Sequence, residues 1–408
     1  MMRMRIALIT SNYPRYPGDG ASTAGLFVAQ FCAELKRLGH RVYVLTQKLP
    51  GKLDAGDMNV RWFNWSGAED DEKISSINPF SIGGFFKTRN LLKNGTNALR
   101  RLVKKKGIDH CICMWAIPSG YFANKVKAEL GVNYSVWVLG SDIWTFSRYP
   151  IIGGIVRNII DNSQFVVSDG LKLARQVEEI TGRRCGFMPS SRKLPQPQKR
   201  PEMKGQINLL FIGRYEPVKG PDLLIRAARR LVKKGRDIHV FMFGGGSMRA
   251  ELKEMIERYK LKERVHLQGY IDAQGCSDWL SAASCLVIPS RMESIPVIFS
   301  DAMQMGCPVV ASNVGDMGTL IKKYKVGIVT KPKSKAIAKS IEEFIDKREA
   351  WDGFRSEALR LAEKFDANRV AERYVGLINS KSRKRKANNE AEEKPEKGEE
   401  SEGIEKED

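Results

Sequence analysis

The sequence predicts an α/β protein in which two doubly wound parallel sheets face each other across a cleft. Three observations carry this. Short, β-rich apolar runs alternate with amphipathic helical stretches, the pattern of a parallel sheet covered by helices on both faces. The alternation breaks once, over 188–206 (MPSSRKLPQPQKRPEMKGQ), and then restarts. The 408 residues also suffice for two domains of roughly 100–200 residues each.

Taken in order, Arg5–Thr10 (RIALIT) reads as the first strand. The loop YPRYPGDGAS follows, then a helix over Leu26–Leu38 stopped by Gly39, then a strand at Arg41–Thr46. Further strands are expected at His110–Trp115, Tyr134–Leu139 and Gln164–Ser168. The Pro-rich break lacks apolar periodicity and reads as an interdomain linker, placed at 191–206. Beyond it, strands at Ile207–Ile212, His239–Phe243, Val265–Leu267, Cys285–Pro289 and Val309–Ala311 alternate with helices. Those helices are Pro221–Lys234, Met248–Tyr259, Cys276–Ala283 and Val297–Met305. Lys335–Ile345 and Trp351–Ile378 read as terminal helices. The domains are thus 1–190 and 207–365, with a helix at about 366–380 packing back on the first. Residues 381–408 are dense in charge and contain one apolar residue larger than Ala, Ile404, so disorder is expected there.

The formal net charge is +21. Ten acidic residues and three lysines fall in 390–408, so residues 1–389 carry +28. So basic a body suits an anionic partner such as phospholipid or a phosphorylated substrate, or simply a well-solvated surface. Nucleic acid is not expected, because no stacking motif or nucleic-acid fold signature accompanies the charge. Seven cysteines without a CxxC pair, and four scattered histidines, give no metal spacing. They suit a reduced, cytoplasmic protein. The start MMRMRIALITSNYP is not a signal peptide and no run of 18 apolar residues occurs, so no membrane span is expected. The stretch Phe85–Lys106 is basic with an apolar stripe of Leu91, Leu92, Leu99, Leu102 and Val103. It suits either an interfacial helix on anionic lipid or a core-packed helix with a solvated basic face.

Three motifs follow strands of the second half. Gly213-Arg214-Tyr215-Glu216-Pro217-Val218-Lys219-Gly220 leads from a strand into a helix. Its two cations beside a helix N-terminus fit a diphosphate, though a solvated loop often carries Lys and Arg as well. Gly244-Gly245-Gly246-Ser247 opens the next helix, where glycines let a ligand approach the backbone. Pro289-Ser290-Arg291-Met292-Glu293-Ser294-Ile295-Pro296 sets a carboxylate at a strand's end beside free N–H groups, able to grip sugar hydroxyls. Asp301 lies about two turns into the following helix. Both carboxylates also admit a bland reading, as a helix-start Glu and an exposed Asp.

Taken together, these motifs resemble the C-terminal domain of the retaining family 4 glycosyltransferases, which have the GT-B fold of two Rossmann-like domains. The family pattern is GR-x-x-x-x-KG, a Gly-rich turn, then ES-x-P within E-x7-E. The resemblance implies that Arg214 and Lys219 bind the donor diphosphate, with Gly213, Gly244 and Gly245 lining the site. It implies that Glu293 contacts the transferred sugar, with the backbone of Ser294, Ile295 and Pro296 helping. Asp301 would hold the ribose, one methylene shorter than the family's Glu, and Tyr270, within Val265–Ile271, would flank the base. In the first domain, Gly18, Gly20 and Gly25 match the family's donor-facing glycine loop. Trp115 and Asp142 are acceptor-side candidates, with Leu139 where many members carry His. The implied reaction moves a sugar from a nucleotide-diphosphate donor, UDP-sugar first and GDP-mannose next, to a glycan or lipid-linked acceptor. The anomeric configuration would be retained and neither metal nor cofactor used. The enzyme would be cytoplasmic, attached peripherally to the inner face of the plasma membrane through 85–106. A sugar-nucleotide 2-epimerase of the same architecture and a non-catalytic basic binding protein are the competing readings.

Overall fold

The structure is a computed structural model, and it describes residues 3–16, 19, 23–51, 53–54, 56–57, 59–68, 77–78, 81–144 and 150–392. The first half holds β1 (Arg5–Thr10), α1 (Thr23–Arg37), β2 (Arg41–Gln47), β3 (Val60–Phe63), α2 (Ile82–Lys106), β4 (His110–Met114), α3 (Tyr121–Leu130) and β5 (Asn133–Val138). It continues with the one-turn α4 (Ser141–Trp144), α5 (Pro150–Asp161), β6 (Val166–Ser168), α6 (Leu171–Thr181) and β7 (Cys185–Phe187). Its seven strands are parallel in the order β3-β2-β1-β4-β5-β6-β7.

The second half restarts at β8 (Ile207–Ile212), α7 (Pro221–Lys233), β9 (Ile238–Phe243), α8 (Arg249–Arg258), β10 (Val265–Leu267), α9 (Ala273–Ala282) and β11 (Cys285–Ile288). It continues with α10 (Val297–Gln304), β12 (Val309–Ser312), α11 (Met317–Tyr324), β13 (Gly327–Thr330) and α12 (Ser334–Asp346). Its six strands are also parallel, in the order β10-β9-β8-β11-β12-β13. In each sheet the strand order reverses once, between β1 and β4 and between β8 and β11. Beyond the carboxyl ends of strands at such a switch point, open α/β sheets form their ligand crevice.

Two helices close the chain, α13 (Trp351–Ala362) and α14 (Ala367–Glu392). The stretch read as one helix over Trp351–Ile378 is therefore broken at 363–366. The break takes the chain from one domain to the other: Phe365 is buried in the second core, whereas Val370, Ala371, Tyr374, Val375 and Ile378 form a helical stripe in the first. Helix α14 also runs twelve residues past Ser380 into the segment expected to be disordered; residues 393–408 lie outside the described residues.

Three strands that the sequence reading omitted, β3, β7 and β13, are all sheet edges of three or four residues. The linker is not a free spacer. Leu194 is buried in the second core, Ser277 Oγ donates to Pro195 O at 2.7 Å, and Gln198 N donates to Asp278 Oδ1 at 2.7 Å. In α2, Leu91, Leu99, Leu102 and Val103 are buried in the first core, so the apolar stripe faces the protein and not lipid. Gly95 permits this, because a Cβ there would overlap the Phe122 ring of α3. Arg100 is engaged with Glu129 at 2.5 and 2.6 Å.

The last helix is anchored by Tyr374. Its ring stacks on Trp137 with centroids 5.4 Å apart and meets Phe31 edge-on at 5.3 Å. Its hydroxyl lies 2.9 Å from Ser135 Oγ, itself 2.9 Å from His110 Nε2. Tyr374→Ala should cost about 3–5 kcal/mol, whereas Tyr374→Phe should cost ~1 kcal/mol, because Ser135 keeps His110 as partner. Urea unfolding of the two variants checks this; equal losses would mean that the hydroxyl, not the ring, anchors the helix.

Candidate functional site

The site is built at the switch point of the second sheet. Strand β8 ends at Ile212, and the chain turns through Gly213–Gly220 into α7. Strand β11 ends at Ile288 and turns through Pro289–Pro296 into α10. Gly220 has φ +67°, and a Cβ there would overlap the carbonyl oxygen of Pro289, so glycine allows the two turns to touch. Arg291 then ties them together. Its guanidinium makes a bidentate pair with Asp222 at 2.9 and 2.8 Å and donates to Pro217 O at 2.6 Å, while its amide donates to Val218 O at 2.8 Å. This closure sets Lys219 Nζ against Glu293 Oε2. Both side chains are largely covered. Arg214, one turn away, is exposed, and no described residue hydrogen-bonds or pairs with its guanidinium.

The Gly244–Gly246 turn packs on the first of these turns. Gly244 and Gly246 have φ of +145° and +149°, and a Cβ on either would overlap a carbonyl oxygen, of Gly213 and Tyr215 respectively. Here the glycines serve loop-on-loop contact. Tyr215 is the post between them: its hydroxyl donates to Met242 O at 2.6 Å and its amide to Gly245 O at 2.8 Å. The half-exposed Tyr270 ring lies over Gly245. Ser294 and Ile295 are buried, and no described residue accepts from their amide N–H groups. A crevice with one unpaired guanidinium, a Lys–Glu pair and open amides can take a polyanion and a polyhydroxyl group side by side.

Asp301 departs from its expected place. It does not face the crevice: it is 1% exposed and pairs with Arg192 of the linker, Nη2 to Oδ2 at 2.7 Å. Burial pushes its carboxyl up and Arg192 pulls it back, leaving it above the usual carboxylate range. Arg192 also approaches Cys276 Sγ at 3.6 Å, and its carbonyl accepts from Gln304 Nε2 at 2.7 Å.

On the opposing domain, Gly18 and Gly20 lie outside the described residues, and Gly25 is buried inside α1 instead of in a loop. Trp115, at the end of β4, has φ +70° and is partly buried. Asp142 is fully buried. Its Oδ2 accepts from Ala116 N at 2.8 Å, and its Oδ1 has no partner. Burial pushes its carboxyl up to about 6, against hydrogen bonds from Ala116 and the 139–142 backbone. Asp142 therefore binds two turns together instead of presenting itself to solvent. Three residues that sequence reasoning missed meet the Glu293 turn. Asp169, after β6, is buried beside Ser294; a Cβ on Gly170 would overlap Ser294 Oγ; and Asp316 accepts from Lys172 N at 3.2 Å. The signal available for Asp169 was its position: Ser168-Asp169-Gly170 ends a strand.

All four histidines stand away from this crevice. His40 accepts from Met4 N through Nδ1 and His110 bonds Ser135. His239 and His266 stack together beside Arg264. Among the described residues no group of three His, Cys, Asp or Glu could hold a metal ion, and no helix is long and apolar enough to cross a membrane.

Residues 193–360 match the sequence model of the family Glycosyl transferases group 1. The chain is similar to alpha-D-kanosaminyltransferase of Streptomyces kanamyceticus, 28% identical over 171 residues, which is 41% of this chain and 44% of that one. It is similar to D-inositol 3-phosphate glycosyltransferase 2 of Catenulispora acidiphila, 34% identical over 128 residues, covering 29% and 30%. The chain thus matches less than half the length of these relatives. In structure it resembles sucrose-phosphate synthase of Thermosynechococcus elongatus, with TM-score 0.71, 18% identity and coverage of 93% and 99%. It also resembles HepE of Anabaena, solved with UDP and glucose, with TM-score 0.70, 16% identity and coverage of 93% and 100%. The fold is GT-B, two parallel α/β sheets interleaved with helices.

Removing one partner of a buried ion pair leaves the other charge uncompensated, which costs about 3–5 kcal/mol. Arg192→Ala should lose that much in chemical denaturation, and Arg192→Met with Asp301→Leu should recover most of it. A single-variant loss below ~1 kcal/mol would place the pair in solvent.

Proposed function

We propose that this protein is a glycosyltransferase, moving a sugar from a nucleotide-diphosphate donor to a glycan or lipid-linked acceptor with retention of configuration. The observation that carries this reading is the pairing of Lys219 with Glu293 across the switch point, 74 residues apart in sequence, beside an unpaired Arg214. The match to Glycosyl transferases group 1 covers that whole region. The diphosphate lies on Arg214 and Lys219, and the sugar hydroxyls lie on Glu293 and the amides of Ser294 and Ile295. As the bond from the anomeric carbon to the diphosphate oxygen breaks, charge grows on the leaving phosphate. The fixed cations stabilise it without a metal. The acceptor oxygen bonds the same face of the sugar, and its proton passes to the departing phosphate. Asp301, buried and paired with Arg192, is left out of ribose binding in this reading. UDP-sugar is the first donor to test and GDP-mannose the second. A 2-epimerase is the weaker reading, because no histidine stands near the crevice to act as acid or base.

The place of work is the inner membrane surface. With the stripe of α2 buried, lipid contact rests on what that helix leaves outward: Ile82, Phe85 and Phe86 at its amino end, 82%, 56% and 60% exposed. The exposed cations Arg89, Lys93, Arg101, Lys104 and Lys105 lie along it.

Arg214→Ala and Lys219→Ala should each weaken nucleoside diphosphate binding by ~1.5–3 kcal/mol while hardly changing nucleoside binding, read by calorimetry. Equal losses for both ligands would remove the diphosphate from these residues. Glu293→Gln should keep most nucleotide affinity and lower turnover strongly; an unchanged rate would take it out of the site.

The protein should sediment with anionic vesicles and not neutral ones, and binding should fade as salt rises. Arg101, Lys104 and Lys105 changed to Gln should cost about 1 kcal/mol each. Phe85→Ser with Phe86→Ser should weaken what high salt leaves. Indifference of the wild type to anionic vesicles at low salt would end the membrane reading.

A further inference from the structure

The two domains meet at a patch with too many carboxyls. Asp169, at the end of β6, is 7% exposed, and its Oδ1 has no hydrogen-bond partner. Ser294, on the turn that carries Glu293, is 4% exposed, and its hydroxyl likewise has no hydrogen-bond partner among the described residues. The neighbouring Gly170 lets the Ser294 side chain lie against its backbone, since any Cβ there would overlap Ser294 Oγ. Ser168 Oγ fixes this turn by accepting from Gly170 N at 3.2 Å. Three other carboxyls face Asp169, one from each turn packed on it. Asp142 comes from behind within the same domain. Glu293 comes from across the boundary with Lys219 upon it. Asp316 also comes from across the boundary, held by the Lys172 amide. No described cation pairs with Asp169 itself.

We propose that Asp169 is a positioning residue for the Glu293 turn: its carboxyl shares a hydrogen bond with the Ser294 hydroxyl across the domain boundary and so seats Glu293 when the domains close. The inference rests on the glycosyltransferase reading for what the seated Glu293 does, but not for the contact. A carboxylate there would be buried without a partner and would face three others, which is costly. A neutral carboxyl instead has a proton to donate. The charges agree with this. Burial pushes Asp169 up to about 8, the Ser294 hydroxyl draws it down, and Glu293, Asp142 and Asp316 push it up again.

With the domains apart, Asp169 loses Glu293 and Asp316 as neighbours and part of its cover, so its carboxyl falls from about 8 toward the ordinary carboxylate range. Closure then takes up a proton. It carries no penalty below the open-state value, weakens as pH rises from there to about 8, and stays flat above. The same pH dependence should enter kcat and not the donor's ground-state affinity, because Arg214 and Lys219 hold the diphosphate from one domain.

The test compares wild type, Asp169→Asn and Asp169→Ala between pH 6 and 9. Two readouts are taken: UDP-sugar turnover and the radius of gyration in solution scattering. Wild-type kcat should fall at least about fivefold from pH 6.5 to 8 while the molecule expands. Asp169→Asn, a neutral isostere, should match wild type within about twofold at pH 6.5 and flatten both profiles. Asp169→Ala should flatten them too, but with kcat lowered at every pH and KM nearly unchanged. If Asp169→Asn keeps the wild-type pH dependence in both readouts, Asp169 does not set it and the inference fails. If no nucleotide sugar is turned over by wild type, the glycosyltransferase reading fails. The scattering comparison still decides whether Asp169 governs closure.

Discussion

The functional end of the second domain depends on one contact, the touch between the β8–α7 turn and the β11–α10 turn. Gly220 is the residue that permits it and Arg291 is the residue that holds it, by pairing with Asp222 and donating to Pro217 O. Without that touch Lys219 and Glu293 would sit on separate loops, each solvated, with no fixed relation. With it, a cation and an anion 74 residues apart in sequence become one unit, and Arg214 is left as the cation without a partner. A charge-assisted grip on a diphosphate needs preorganised donors. In the reading proposed above, that preorganisation would come from Arg291, which touches no proposed ligand.

Burial is managed differently in the two halves of the site. Arg192 and Asp301 form a covered ion pair that ties the linker to α10. Asp142 is satisfied in part by the Ala116 amide. Asp169 has neither a cation nor an amide on its Oδ1. A buried carboxyl without such a partner remains in place only as the neutral acid or at a cost that function repays. Asp142 shares the unpartnered Oδ1 but has the Ala116 amide on Oδ2, and Asp301 has Arg192; Asp169 differs in facing Ser294 from across the domain boundary.

Much of the architecture was legible because parallel strands buried on both faces leave continuous apolar runs, as in Arg5–Thr10 and Ile207–Ile212. The short edges β3, β7 and β13 leave no such run, and they were missed. The residues of the second-half motifs were legible as a set, since Arg214, Lys219 and Glu293 stand at strand ends in a fixed order. What the sequence did not disclose was direction. The stripe of α2 suited lipid or core equally, and only the Phe122 ring against Gly95 shows that it turns inward. Asp301 looked like a cleft residue until Arg192, 109 residues away, was found upon it. Asp169 carries no motif at all; its meaning comes from Ser294, which a different domain supplies.

The chain crosses between domains twice, and the crossings constrain how those partners meet. The first lies between Met188, buried in the first core, and Leu194, buried in the second; the second lies between Phe365 and Val370. Arg373 Nη2 donates to Phe187 O at 3.2 Å, so the two crossings lie side by side. Two short, adjacent connections allow the domains to rotate about a common line and resist sliding or twisting. A single rotation then brings Gly170 against Ser294 and the Lys172 amide onto Asp316 together, or releases both. Few interface groups are needed to govern such a motion, because each acts on the same degree of freedom. Asp169 stands beside that line, since Ser168 pairs with Phe187 and its carbonyl accepts from Met188 N at 2.8 Å, so its contact with Ser294 acts where the first crossing begins.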